Sequence, residues 1–193
     1  MKRFYSPISI PNILTLVRIL LTPLFVIFLI RNQFPQALLI FAIAGVTDGL
    51  DGFIARCLDQ RTALGAFLDP IADKLLLVSS YVALAVLEVI PAWVAVVVIA
   101  RDVIIVLGIA VLTLTEKKYK VKPTIISKCT TTVQIVTILI NLFDPYHAKL
   151  SFLHPYALWL TALLTIFSGL HYTFLGMRIL QEPNARKMDC EER

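Results

Sequence analysis

Charge is what this sequence has least of. Only 16% of its 193 residues are Asp, Glu, Lys or Arg, 58% are hydrophobic, and the mean hydropathy is +0.81. A water-soluble domain carries about a quarter charged residues, so that class is excluded. A polytopic membrane protein in one unit, residues 1–193, is expected instead. Cysteine is also scarce: Cys57, Cys129 and Cys190 are odd in number and share no metal-type spacing. Cys57 and Cys190 fall in segments read as cytoplasmic, so no disulfide is expected. The net charge of +5 invites a nucleic-acid partner, but no basic stripe is interleaved with aromatics. The basic residues lie in loops and tails, where they orient helices against an anionic leaflet. No internal repeat stands out, and no second domain or low-complexity segment is expected within these residues. The first apolar run is too long for a signal peptide and no small-residue cleavage site is evident, so it reads as a retained helix.

Apolar runs of membrane length predict six helices. They cover about 10–30, 36–56, 65–87, 92–114, 124–143 and 156–180. The fold class is therefore all-α, an integral membrane protein with six transmembrane helices. Pro11 suits a first turn, with Ser9 or Asn12 as cap, and Pro23 is expected to bend the first helix. Lys and Arg gather in the N-terminal tail, the 56–62 turn, the 116–122 loop and the polar C-terminal tail, which is expected to fray. The opposite loops hold Arg31 and Lys149. Both termini are thus expected in the cytoplasm, with the protein in the cell's inner (plasma) membrane. Arg18, about two turns into the first helix, reads as snorkelling to headgroups; the alternative is that it faces a polar cavity.

The stretch Asp48–Asp73, DGLDGFIARCLDQRTALGAFLDPIAD, breaks the apolar pattern. Intramembrane carboxylates each cost roughly 2.5–3.5 kcal/mol, so something must offset them. Asp48 and Asp51 are three apart and share a helix face; Asp69 and Asp73, four apart, share another. Asp51 and Asp69 lie about four or five residues from the intervening turn, and Asp48 and Asp73 about eight. At 1.5 Å per residue the pairs match in depth at roughly 7 and 12 Å, so two antiparallel helices would bring all four together. Oxygen donors without nearby His or Cys suit Mg²⁺ or Mn²⁺. Two such ions would balance four carboxylates and suit phosphoryl chemistry, with one aspartate as a base. Gly52, Ala55 and Gly65 leave room beside the backbone, and Arg56 can hold a phosphate.

Asp48-x-x-Asp51-Gly52-x-x-Ala55-Arg56, eight residues, Gly65-x-x-x-Asp69-x-x-x-Asp73 resembles the complete signature of the CDP-alcohol phosphatidyltransferases. The resemblance covers nearly the whole chain. It implies transfer of a phosphatidyl group from CDP-diacylglycerol to an alcohol, release of CMP, a divalent metal, and a homodimer. It implies that Asp48, Asp51 and Asp69 bind metal, and that Asp73 binds metal or acts as general base on the acceptor hydroxyl. Gly52, Ala55 and Gly65 would line the cytidine site and Arg56 would contact nucleotide or diphosphate.

IPNILTLVRILLTP, GAFLDPIADK, IPAWVAVVVIARD and SGLHYTFLG resemble the subgroup of phosphatidylglycerophosphate and CDP-alcohol cardiolipin synthases. Glycerol 3-phosphate is the expected acceptor and phosphatidylglycerol the alternative; the Arg-Asp pair at 101–102 resembles the cardiolipin branch. Either acceptor carries phosphate, and Arg101, Lys122 and Lys128 are the candidate cations. An ion pair between Arg101 and Asp102 competes with that role, although neighbours on a helix point about 100° apart. Lys74 and His171 read as packing residues, and Thr130 to Thr132 as bonded to their own helix. The rival of a different class is a divalent-cation transporter. It needs the aspartates but not Gly52, Ala55, Arg56 or Gly65.

Overall fold

The computed structural model describes residues 10–57, 63–114, 125–145 and 152–181, with side chains described for 13–48, 71–108, 111, 125–145 and 152–178. All regular structure among them is helical. The helices are α1 (Ile10–Ile30), α2 (Phe34–Cys57), α3 (Ala63–Val86), α4 (Ala92–Leu114), α5 (Ile125–Phe143) and α6 (Leu153–Gln181).

Helix ends follow local chemistry. At the end of α1, Asn32 takes φ 57°, and the Asn32 and Gln33 N–H groups bond the Leu29 and Phe28 carbonyls at 2.8 and 2.9 Å. That is a Schellman cap with asparagine in the left-handed position glycine usually fills. The end of α3 repeats it with Glu88 at φ 59°, a residue with no special tolerance for that conformation. Pro35 and Pro155 lie in the first turns of α2 and α6, where a missing N–H costs no helical bond. Both helices therefore start two or three residues earlier than the sequence suggested.

Helix α1 packs on α2 and α3; α6 packs between α4 and α5; contacts of α3 with α4 and of α5 with α2 and α3 join the halves. Phe25, Leu29, Phe41, Tyr81, Leu84, Val94, Val98, Ile138 and Leu142 form the shared core, with the Phe25 and Phe41 rings 5.7 Å apart. Polarity is inverted relative to a soluble bundle. Leu20, Leu39, Val96, Leu163 and Phe174 are exposed, while Thr15, Gln134, Asn141 and Thr165 are buried. Three stretches among the described residues are long and apolar enough to cross a membrane: Ile13–Ile30, Ile125–Phe143 and Leu153–Arg178.

Helices α5 and α6 are joined by a ladder of side-chain hydrogen bonds. Gln134 Nε2 donates to Thr165 Oγ1 at 3.1 Å, the Thr137 and Thr161 hydroxyls lie 2.7 Å apart, and Asn141 Oδ1 meets His154 Nε2 at 2.9 Å. Polar residues serve as such glue where packing against lipid gives no hydrophobic driving force.

Candidate active site

The site is built at one end of the bundle, where α1, α2 and α3 converge. Asp48 projects from α2 and Asp73 from α3. Both meet one atom of α1: Arg18 Nη1 lies 2.9 Å from Asp48 Oδ1 and also donates to Asp73 Oδ1. The depth argument thus holds for this pair, which the antiparallel helices bring together. Arg18 is 1% exposed, whereas the Asp48 and Asp73 side chains are 49% and 47% exposed. A buried guanidinium is costly without counter-charge, and two carboxylates supply it.

Arg18 corrects the snorkelling expectation. Its side chain turns inward to the aspartates because α1 presents Thr15, Arg18 and Thr22, spaced three and four apart, to its neighbours. That polar stripe was the available sequence signal.

The arrangement fits a divalent cation. The donors are hard oxygens, a positive group is already held between them, and both carboxylates keep half their surface open. Among the described residues no three His, Cys, Asp or Glu side chains cluster. The side chains of Asp51, Gly52, Ala55, Arg56, Gly65 and Asp69 lie outside the described residues, and so does Lys122.

A second polar cluster lies beside the first. Arg101, 3% exposed, donates from Nη1 to Asp102 Oδ1 at 2.8 Å and from Nη2 to Ser127 at 2.7 Å and Ser168 at 3.0 Å. Its guanidinium carbon stands 5.9 Å from the Tyr172 ring centre. The neighbour pairing that helix geometry argued against therefore forms, because the long arginine chain curls back around α4. Lys74 also pairs with Asp102, at 2.6 Å. Lys74 turns away from Asp73, as expected, and α3 thereby carries one cluster on each of two consecutive residues. Lys128 is exposed on α5, next to Ser127. Thr130, Thr131 and Thr132 donate to the carbonyls four residues back, as expected, and Thr130 also reaches Leu164 O on α6. His171 meets Tyr172 edge-on, with ring centres 6.4 Å apart. Cys129 is free and exposed; Cys57 and Cys190 lie outside the described side chains.

The model of the CDP-alcohol phosphatidyltransferase family matches residues 8–167, which include every residue of the aspartate motif. The chain belongs to this family. Within it, the chain is 37% identical to the human protein named cardiolipin synthase (CMP-forming), over 92% of this chain and 65% of that one. It is 40% identical to the Streptomyces coelicolor protein of the same name, over 54% of this chain and 52% of the other. It is 32% identical to the Bacillus subtilis CDP-diacylglycerol–glycerol-3-phosphate 3-phosphatidyltransferase, over 91% of this chain and 99% of that protein. The chain thus spans a little under two thirds of the human relative and nearly all of the Bacillus one.

Proposed function

We propose that this protein transfers a phosphatidyl group from CDP-diacylglycerol to the hydroxyl of a phosphate-bearing glycerol acceptor, with release of CMP. The carrying observation is the convergence of Asp48 and Asp73, from two helices, on one cationic atom inside a family-matched motif. Asp48, Asp51, Asp69 and Asp73 would hold Mg²⁺ or Mn²⁺, as two ions. The metal would neutralise charge on the diphosphate and on departing CMP.

The chain's own groups do the rest. Gly52, Ala55 and Gly65 admit the cytidine, and Arg56 holds nucleotide or diphosphate. The acceptor oxygen attacks the phosphorus bearing diacylglycerol, its proton passes to an Asp73 carboxylate oxygen, and the bond from that phosphorus to CMP breaks. Arg101, Lys122 and Lys128 take the acceptor's phosphate. In support, Arg101 bonds Ser127, one residue before Lys128.

The first reading of the acceptor is glycerol 3-phosphate, supported by the Bacillus relative, which is covered over 99% of its length. The second is phosphatidylglycerol, favoured by the higher identity to the two cardiolipin synthases. All six helices cross the inner membrane in this reading, with both termini and the aspartates on the cytoplasmic side, and the protein is a homodimer. The apolar outer faces support the spans. So do the Trp93–Trp159 and Phe152–Tyr156 ring pairs, at 5.4 and 5.2 Å, at the ends of helices away from Asp48 and Asp73.

Purified protein incubated with CDP-diacylglycerol, Mg²⁺ and each acceptor in parallel should release CMP with one of the two. No CMP release with any alcohol sinks the enzyme reading; Mg²⁺ flux into liposomes would then establish the transporter.

A further inference from the structure

Arg18 belongs to none of the roles above, yet it is the most completely enclosed charge described in the bundle. Its Nη1 is shared by Asp48 Oδ1 and Asp73 Oδ1, and its own carbonyl accepts from Thr22 Oγ1 at 3.0 Å. The three charged side chains come from three different helices. Without a cation between them, Asp48 and Asp73 would repel each other and push α2 from α3. We propose that Arg18 is an internal counter-cation that staples Asp48 to Asp73 when no divalent ion is bound, and that competes with that ion for the same two carboxylates. This rests on the reading that the aspartates bind metal.

The asymmetry of exposure supports exchange. Arg18 is buried and tethered to α1, whereas both carboxylates keep about half of their surface open. Asp48 and Asp73 would hold a divalent ion from that open side, with Arg18 already sharing their charge. The ion's binding is weakened by the guanidinium charge, while the site stays assembled between turnovers.

The test is Mn²⁺ binding by electron paramagnetic resonance, together with thermal unfolding in EDTA and in Mn²⁺, on detergent-purified protein. Arg18→Met removes the competitor and the staple together. It should bind Mn²⁺ about tenfold more tightly than wild type, as expected when a like charge is removed a few ångströms away at a half-exposed site. Its Tm should fall in EDTA and recover in Mn²⁺. Arg18→Lys keeps the charge but not the fork and should fall between the two in affinity. Equal or weaker Mn²⁺ binding by Arg18→Met overturns the proposal while leaving the metal reading intact. No Mn²⁺ binding by wild type or variant removes both. If Arg18→Met does not fold, wild type decides: the arginine side-chain nitrogen resonances of Arg18 should shift on adding Mg²⁺ to EDTA-treated protein. Resonances unmoved at saturating Mg²⁺ overturn the proposal.

Discussion

Arg18 on α1 and Arg101 on α4 are both buried guanidinium groups, and their partners differ in exposure. Arg18 is held by two carboxylates that are half open to solvent. Arg101 is held by Asp102, which is only 7% exposed, and by two serine hydroxyls. Asp102 Oδ2 is buried and has no hydrogen-bond partner among the described residues, so that pair is closed off from solvent. The difference separates two uses of a buried charge. At Arg18 the anions are open on one side, as the proposed exchange of cations requires. At Arg101 the anion is internal and is shared with Lys74, so the proposed acceptor phosphate would have to displace Asp102. Asp73 and Lys74 are consecutive on α3, so the two clusters are anchored one residue apart.

The comparison breaks most severely at Asp73. Asp73→Asn should lower turnover by about 10²–10⁴-fold by removing the proton acceptor. Near-normal CMP release in that variant removes the base role and leaves Asp73 as a partner of Arg18 alone.

Next in size is Arg101→Met. It leaves Asp102 buried with only Lys74 as partner among the described residues and should cost about 3 kcal/mol of stability in a chemical unfolding measurement, with or without Mg²⁺. That independence from metal is the contrast with Arg18→Met. The acceptor KM should also rise; an unchanged KM for both acceptors would show that Arg101 is structural and that the acceptor's phosphate sits elsewhere.

A smaller effect comes from the ladder below Arg101. Thr137→Val cuts the 2.7 Å contact with Thr161 and should destabilise by about 0.6–1.7 kcal/mol, as single polar contacts between membrane helices do. Metal affinity should not move. If it does, the α5–α6 ladder is coupled to the aspartates through the contacts of α5 with α2 and α3.

The smallest change lies far from both arginines. Glu88 is exposed and holds φ 59° at the end of α3. Glu88→Gly should raise stability by about 0.5–1 kcal/mol, seen as a higher Tm, with CMP release unchanged.

Much of this was legible in the sequence, and its gaps have physical causes. The bounds of α1 and α4 coincide with the expected 10–30 and 92–114, because long apolar runs flanked by polar turns leave little choice. Helices α2 and α6 start before the expected 36 and 156, because Pro35 and Pro155 sit in first turns, where a missing N–H costs no helical bond. The Asp48–Asp73 pairing was legible because depth can be counted along two antiparallel helices.

Spacing alone therefore determined that Asp48 and Asp73 share a level and that polar residues recur every third or fourth position on α1, α5 and α6. It could not determine rotation of one helix against another, nor where a flexible side chain ends. Arg18 had a known depth, but only packing decided that it faces the aspartates instead of the headgroups. Arg101 and Asp102 point apart at their Cα atoms, and only the enclosing serines and Tyr172 fold the guanidinium back onto its neighbour. Helical periodicity is a property of the local backbone. The choice of partner for a long charged side chain depends on which burial leaves the least charge uncompensated, and that is settled only when all the helices are in place.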